Sequence, residues 1–147
     1  MPSGAAPATV GELISRTDRY SRAAIEAFAA LCNDANPLHS THAPGSRFGG
    51  VIASGEHTSS MMLGLATSHF TRPRGGPANE VLVLHVNFAF RSPVFADEDV
   101  ALRWQVAELS WNGKLGGHVV LLNGEASTAR ARTALVARAS LLVKAAA

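Results

Sequence analysis

Seven consecutive residues, Asn33-Asp34-Ala35-Asn36-Pro37-Leu38-His39, put a carboxylate, an amide and an imidazole on one short stretch of chain. Imidazole titrates near neutral pH and is the commonest general acid/base in proteins. A carboxylate a few residues away can orient it, or serve as a second base on the same water. Asn33 and Asp34 favour leaving a helix, and Pro37 pushes Asn36 toward an extended backbone, so residues 33–40 read as a stiff loop. The same residues also suit a plain loop, with Asp34 doing no more than finishing the preceding helix end. Spacing alone leaves both readings open.

The elements that must hold this loop are legible on either side. Ser21 is a good helix N-cap, and Ile25, Phe28, Ala29 and Cys32 recur at helical spacing, which predicts a helix over Ser21–Cys32. Gly45–Gly50 reads as a loop and Val51–Ala66 as a second helix, buried through Met61, Met62 and Leu65. Arg72–Gly76 reads as a further loop, after which the period changes to two. In Val81–Phe90 the residues Leu82, Leu84, Val86, Phe88 and Phe90 alternate with a face carrying His85 and Asn87. Val100–Leu109 alternates through Val100, Leu102, Trp104 and Val106. Asn112-Gly113 predicts a hairpin into a strand at His118–Leu122, and Asn123-Gly124 fits either a turn or a bulge. Leu135–Val143 is the last predicted strand. Two helices followed by an antiparallel meander make an α+β layout, with helices covering one sheet face.

The chain has 147 residues, 47% of them hydrophobic and 16% charged, which suits one compact domain over residues 1–147, with a frayed terminus at 1–8. A formal charge of +2 calls for neither nucleic acid nor a membrane surface as partner. No apolar run reaches the roughly 18 residues of a membrane span, and Met1–Pro7 lacks the features of a signal peptide, so a cytoplasmic protein is expected. The lone Cys32 rules out an intrachain disulfide and a cysteine zinc site. His42, His69, His85 and His118 show no ligand spacing and are read as surface, loop or strand residues, so no metal or other cofactor is expected. Arg72 and Arg74 are read as solvated loop cations, although they could meet the phosphates of a ligand.

The run Phe28–His39 resembles the hydratase motif of MaoC-like proteins and (R)-specific enoyl-CoA hydratases: an aromatic residue, then Asp-x-Asn-Pro-hydrophobic-His. The likeness continues through Gly50–Gly55 and Val86–Val94, and Val10-Gly11-Glu12 matches the usual opening. The resemblance implies a hot-dog fold, an antiparallel sheet wrapped round a central helix supplied by Val51–Ala66, and a homodimer with the acyl pocket between subunits. It implies that Asp34 and His39 activate one water that adds to C3 of a trans-2-enoyl thioester, carried on CoA or an acyl-carrier protein, with Asn36 helping to hold pair and water. The backbone N–H of Gly55, together with Ser54, would meet the thioester oxygen. Pocket depth would rest on side chains such as Met61, Met62, Leu65, Phe88 and Phe90. Relatives often carry glycine where this chain has Asn33, and histidine where it has Ser54. Two other readings stay open: a hot-dog thioesterase using Glu56, and a non-catalytic acyl-thioester-binding protein. His57 has no assigned role.

Overall fold

The computed structural model describes residues 5–40, 47–73 and 76–146. His42, Gly45, Ser46 and Arg74, named above, lie outside the described residues, as does Met1–Gly4. The elements are β1 (Leu13–Arg19), α1 (Arg22–Leu31), a 3-10 turn (Pro37–His39), α2 (Gly55–Thr71), β2 (Asn79–Phe90), β3 (Asp99–Asn112), β4 (Gly117–Thr128) and β5 (Leu135–Ala145). The five strands form one sheet in the order β1-β3-β4-β5-β2, every neighbouring pair antiparallel. No helix among the described residues is long and apolar enough to cross a membrane.

The core follows from two periodicities meeting. Along β3, Val100, Leu102, Trp104 and Val106 are all at most 1% exposed, the period-two face of a strand. Along α2, Met62, Ala66 and Phe70 fall four apart and are equally closed, a helical stripe laid against that face. Trp104 Nε1 donates to the Met62 carbonyl at 2.8 Å, which satisfies the indole N–H inside the core. Across the sheet, Gly124 faces Trp104, and a Cβ there would sit 2.4 Å from the indole ring. Asn123-Gly124 is therefore neither turn nor bulge: it lies within β4, and the glycine makes room for tryptophan.

Several expectations need correction. β1 went unpredicted, because Ile14 is its single buried residue and no alternation marks it. Pro7 and Ala8 are buried, Ala8 in the core, where composition suggested fraying. Helix α2 starts at Gly55 rather than Val51 and runs past Ala66 to Thr71. Residues 51–53 are instead extended: Ala53 N donates to the Val94 carbonyl at 2.8 Å and Ala96 N to the Val51 carbonyl at 3.0 Å. A short apolar run such as Val51-Ile52-Ala53 fits strand and helix alike.

The strands do not form a simple meander, since β2 crosses the sheet to pair with β5 at the far edge. A bulge between Val83 and His85 also breaks its phase. Pairing with Val143, Leu141, Ala139, Ala137 and Leu135 puts Val81, Val83, Val86, Phe88 and Phe90 on the inner face, and sends Leu82 outward with His85 and Asn87. The β3–β4 hairpin turns over residues 113–116, where Asn112-Gly113 placed it, with Gly116 left-handed (φ 66°) and Asn112 Oδ1 accepting from Leu115 N at 3.0 Å.

Candidate active site

The site begins where α1 stops. Asn33 N donates to the Ala30 carbonyl at 3.1 Å and Asp34 N to the Ala29 carbonyl at 2.8 Å, the crossed pair of bonds that closes a helix through a left-handed residue. That residue is Asn33, at φ 55°. Glycine suits this conformation best and asparagine comes next, so Asn33 can hold the backbone path that a glycine here would take.

The loop then locks itself. Asp34 Oδ1 accepts from Asn36 N at 2.9 Å, and Asn36 Oδ1 accepts from Leu38 N at 3.1 Å. Pro37 opens the 3-10 turn that carries His39. The loop is sewn to the extended stretch before α2 by Ile52 N donating to the Leu38 carbonyl at 3.1 Å. From the same segment, the Ile52 carbonyl accepts from His39 Nδ1 at 2.7 Å. A carbonyl can only accept, so Nδ1 carries the hydrogen and neutral His39 keeps its lone pair on Nε2. Nε2 faces Asp34 Oδ2 at 3.6 Å. This gap is too long for a direct hydrogen bond, yet two acceptors this far apart can each take a hydrogen from one water. His39 is 7% exposed, whereas the Asp34 side chain keeps 29%.

Asp34, Asn36, His39, Ser54, Gly55 and Glu56 line one cleft of about 510 Å³, walled on its apolar side by Leu38, Ile52, Phe90, Val94 and Leu135. Ser54 caps α2: its Oγ accepts from His57 N at 3.2 Å. Gly55 is the first helical residue, so its N–H has no partner within the helix and lies at the positive end of the dipole. A Cβ on Gly55 would come 2.6 Å from the Phe90 ring, which excludes every other residue while that ring stays in place.

The structure thus gathers the named site residues, although they come from two separated segments. Of the side chains suggested for pocket depth, only Phe90 lines the cleft; Met62 and Leu65 belong to the core instead. His85 and Asn87 line a separate groove on the outer sheet face with Arg138 and Asn123. His69 is helical rather than a loop residue, with Nε2 3.0 Å from Glu12 Oε2. His118 meets Trp111 edge-on, and Arg72 is exposed just past α2.

Sequence reasoning missed what stands behind the cleft. His57 is stacked between Tyr20 and Phe28, at centroid separations of 4.3 and 4.6 Å and 18° and 11° from parallel. Burial pushes its imidazole below the ordinary value; Asp18 opposes that shift and His39 adds to it. Burial likewise raises the Tyr20 phenol to about 12, so it stays neutral. The one available signal was Phe28, the aromatic residue that opens the motif.

A family model described as "MaoC like domain" matches residues 6–128. No curated protein matches. Among solved structures, an (R)-hydratase from A. caviae involved in PHA biosynthesis is 25% identical at a TM-score of 0.76, covering 95% of this chain and 98% of that one. The unliganded R-hydratase PhaJ1 of Pseudomonas aeruginosa is 18% identical at a TM-score of 0.77, covering 95% and 84%. A MaoC-like dehydratase from Rhodospirillum rubrum is 21% identical at 0.73, covering 95% of each chain. The fold is that of a hot dog, and with most of its length matched by the family model, this chain belongs to the MaoC-like domain family.

Proposed function

We propose that the protein is a hydratase/dehydratase interconverting trans-2-enoyl and (R)-3-hydroxyacyl thioesters, on CoA or an acyl-carrier protein. The observation that carries this reading is the convergence of Asp34 Oδ2 and His39 Nε2 at 3.6 Å in a cleft that also holds the first N–H of α2. One water donates its two hydrogens to these acceptors, and its oxygen bonds to C3. As that bond forms, a proton passes to Nε2 and the C2–C3 π electrons move through C1 onto the thioester oxygen. Gly55 N–H, aided by Ser54, stabilises this enolate. A preorganised donor of this kind is worth about 3 kcal/mol of barrier. Collapse of the enolate takes the proton from Nε2 at C2, so one water has been added and no charge is left over. Asn36 acts from behind by holding the loop that carries both groups.

The likeness to (R)-hydratases supports this chemistry and the R configuration. The apolar edge strand β2, where Leu82, Val83, Leu84, Val86 and Phe90 are 37–55% exposed, supports a homodimer joined along that edge. The test follows the conjugated-enoyl absorbance of crotonyl-CoA. Wild-type protein removes it, whereas Asp34→Asn and His39→Ala leave it nearly untouched; an active Asp34→Asn variant would sink the reading.

Glu56 lines the same cleft and gives the second reading, a thioesterase whose carboxylate directs water at the thioester carbonyl. Release of free thiol that depends on Glu56, and not on Asp34 or His39, would favour it.

A further inference from the structure

His57 touches no reacting group in the scheme above, yet it is built into the frame of the site. It is 6% exposed, and its Nδ1 has no hydrogen-bond partner. Its two neighbours come from different elements: Tyr20 follows β1, and Phe28 sits in the last turns of α1. His57 itself lies in the first turn of α2, two residues after Gly55. Two near-parallel rings leave a slot that only a flat side chain fills, so aliphatic residues would force them apart.

The two halves of the site hang on the two helices this stack joins. Phe28 precedes by six residues the Asp34 whose carboxylate faces His39. His57 fixes the helix turn that presents the Gly55 N–H. The stack is a direct tie between these helices, while α1 also seats Ile25 in the core and meets the 3-10 turn. We propose that His57 is a positioning residue: stacked between Tyr20 and Phe28, it sets the distance from the water-activating Asp34–His39 pair to the N–H that receives the thioester oxygen. The inference rests on the hydratase reading.

The role requires a flat ring and not a titrating nitrogen. A buried polar atom without a partner is destabilising, so His57→Phe raises or preserves thermal stability. His57→Ala removes the ring. Misplacement of reacting groups by about 1 Å costs on the order of 100-fold in rate. The experiment measures kcat and KM on crotonyl-CoA together with thermal unfolding. Folded His57→Ala should lose roughly 10- to 100-fold in kcat with KM within about threefold, and His57→Phe should return kcat to within about fivefold of wild type. Wild-type kcat in His57→Ala, or His57→Phe as slow as His57→Ala, overturns the proposal.

Where His57→Ala does not fold, Phe28→Leu replaces it, opening the stack from the other side with the same kcat-selective loss expected. Should wild-type protein leave crotonyl-CoA untouched, the hydratase reading has failed, and positioning is judged by NMR instead. The Gly55 amide and His39 ring signals should then move in His57→Ala and in Phe28→Leu; if both stay in place, His57 positions nothing.

Discussion

β3 and β2 belong to one sheet and are both rich in apolar residues, yet they live in opposite surroundings. β3 lies between β1 and β4, and its inner face is closed by α2, with Trp104 donating into the helix. β2 is an edge strand, bulged at Leu84, and Leu82, Val83, Leu84, Val86 and Phe90 remain open to solvent. Hydrophobicity alone does not make a core: the covering layer does, and β2 ends in Phe90 beside Gly55 at the candidate site. Stability should therefore reside in β3, with association and catalysis at the open side.

The largest effect that would break this contrast is expected at Trp104. Trp104→Ala empties the centre of the sheet and should cost about 3–5 kcal/mol. Urea unfolding measures it, and a loss below about 1 kcal/mol would mean that the sheet centre is not the keystone. A charge on the open strand should act differently. Val86→Lys should change the unfolding free energy of the separated chain by less than about 0.5 kcal/mol. Light scattering should show that it abolishes the dimer proposed along β2.

A third test concerns pH. The folded-state value of His57 lies below the unfolded one, so on acidification the unfolded chain takes up its proton first. Stability is therefore fully present above about pH 6.5 and falls as pH drops below it. The decline in Tm between pH 7.5 and 5.5 should be shallower in His57→Phe; equal slopes would place the acid sensitivity elsewhere. The smallest effect is expected at the end of α1. Asn33→Gly should leave stability within a few tenths of a kcal/mol, whereas Asn33→Ala, which lacks the local hydrogen bonds that ease a left-handed backbone, should cost about 1 kcal/mol by thermal unfolding.

How much could be read from the chain alone depended on how far apart the cooperating residues were. β3 was plain because its burial repeats every second residue from Val100 to Val106, ahead of a bulge at Ala107. The alternation in β2 was misread because one bulged residue, Leu84, inverts the face of everything before it. β1 was invisible because a strand with one buried side chain carries no pattern. The Asp34–His39 loop was legible because its proline, caps and chemistry are contiguous. The Tyr20–His57–Phe28 stack was not, since it exists only once three elements have met.

The bond from His39 Nδ1 to the Ile52 carbonyl carries a lesson for redesign. Because the acceptor belongs to the main chain, replacing the Ile52 side chain does not delete it. The choice of which imidazole nitrogen is free to receive a proton is written into the path of the backbone. Mutational drift can weaken this site by removing Asp34 or His39, but reversing the imidazole's polarity would require re-routing residues 51–54. Attempts to give this scaffold a new reaction should therefore take the orientation of that ring as given and vary what the open edge of the cleft presents to it.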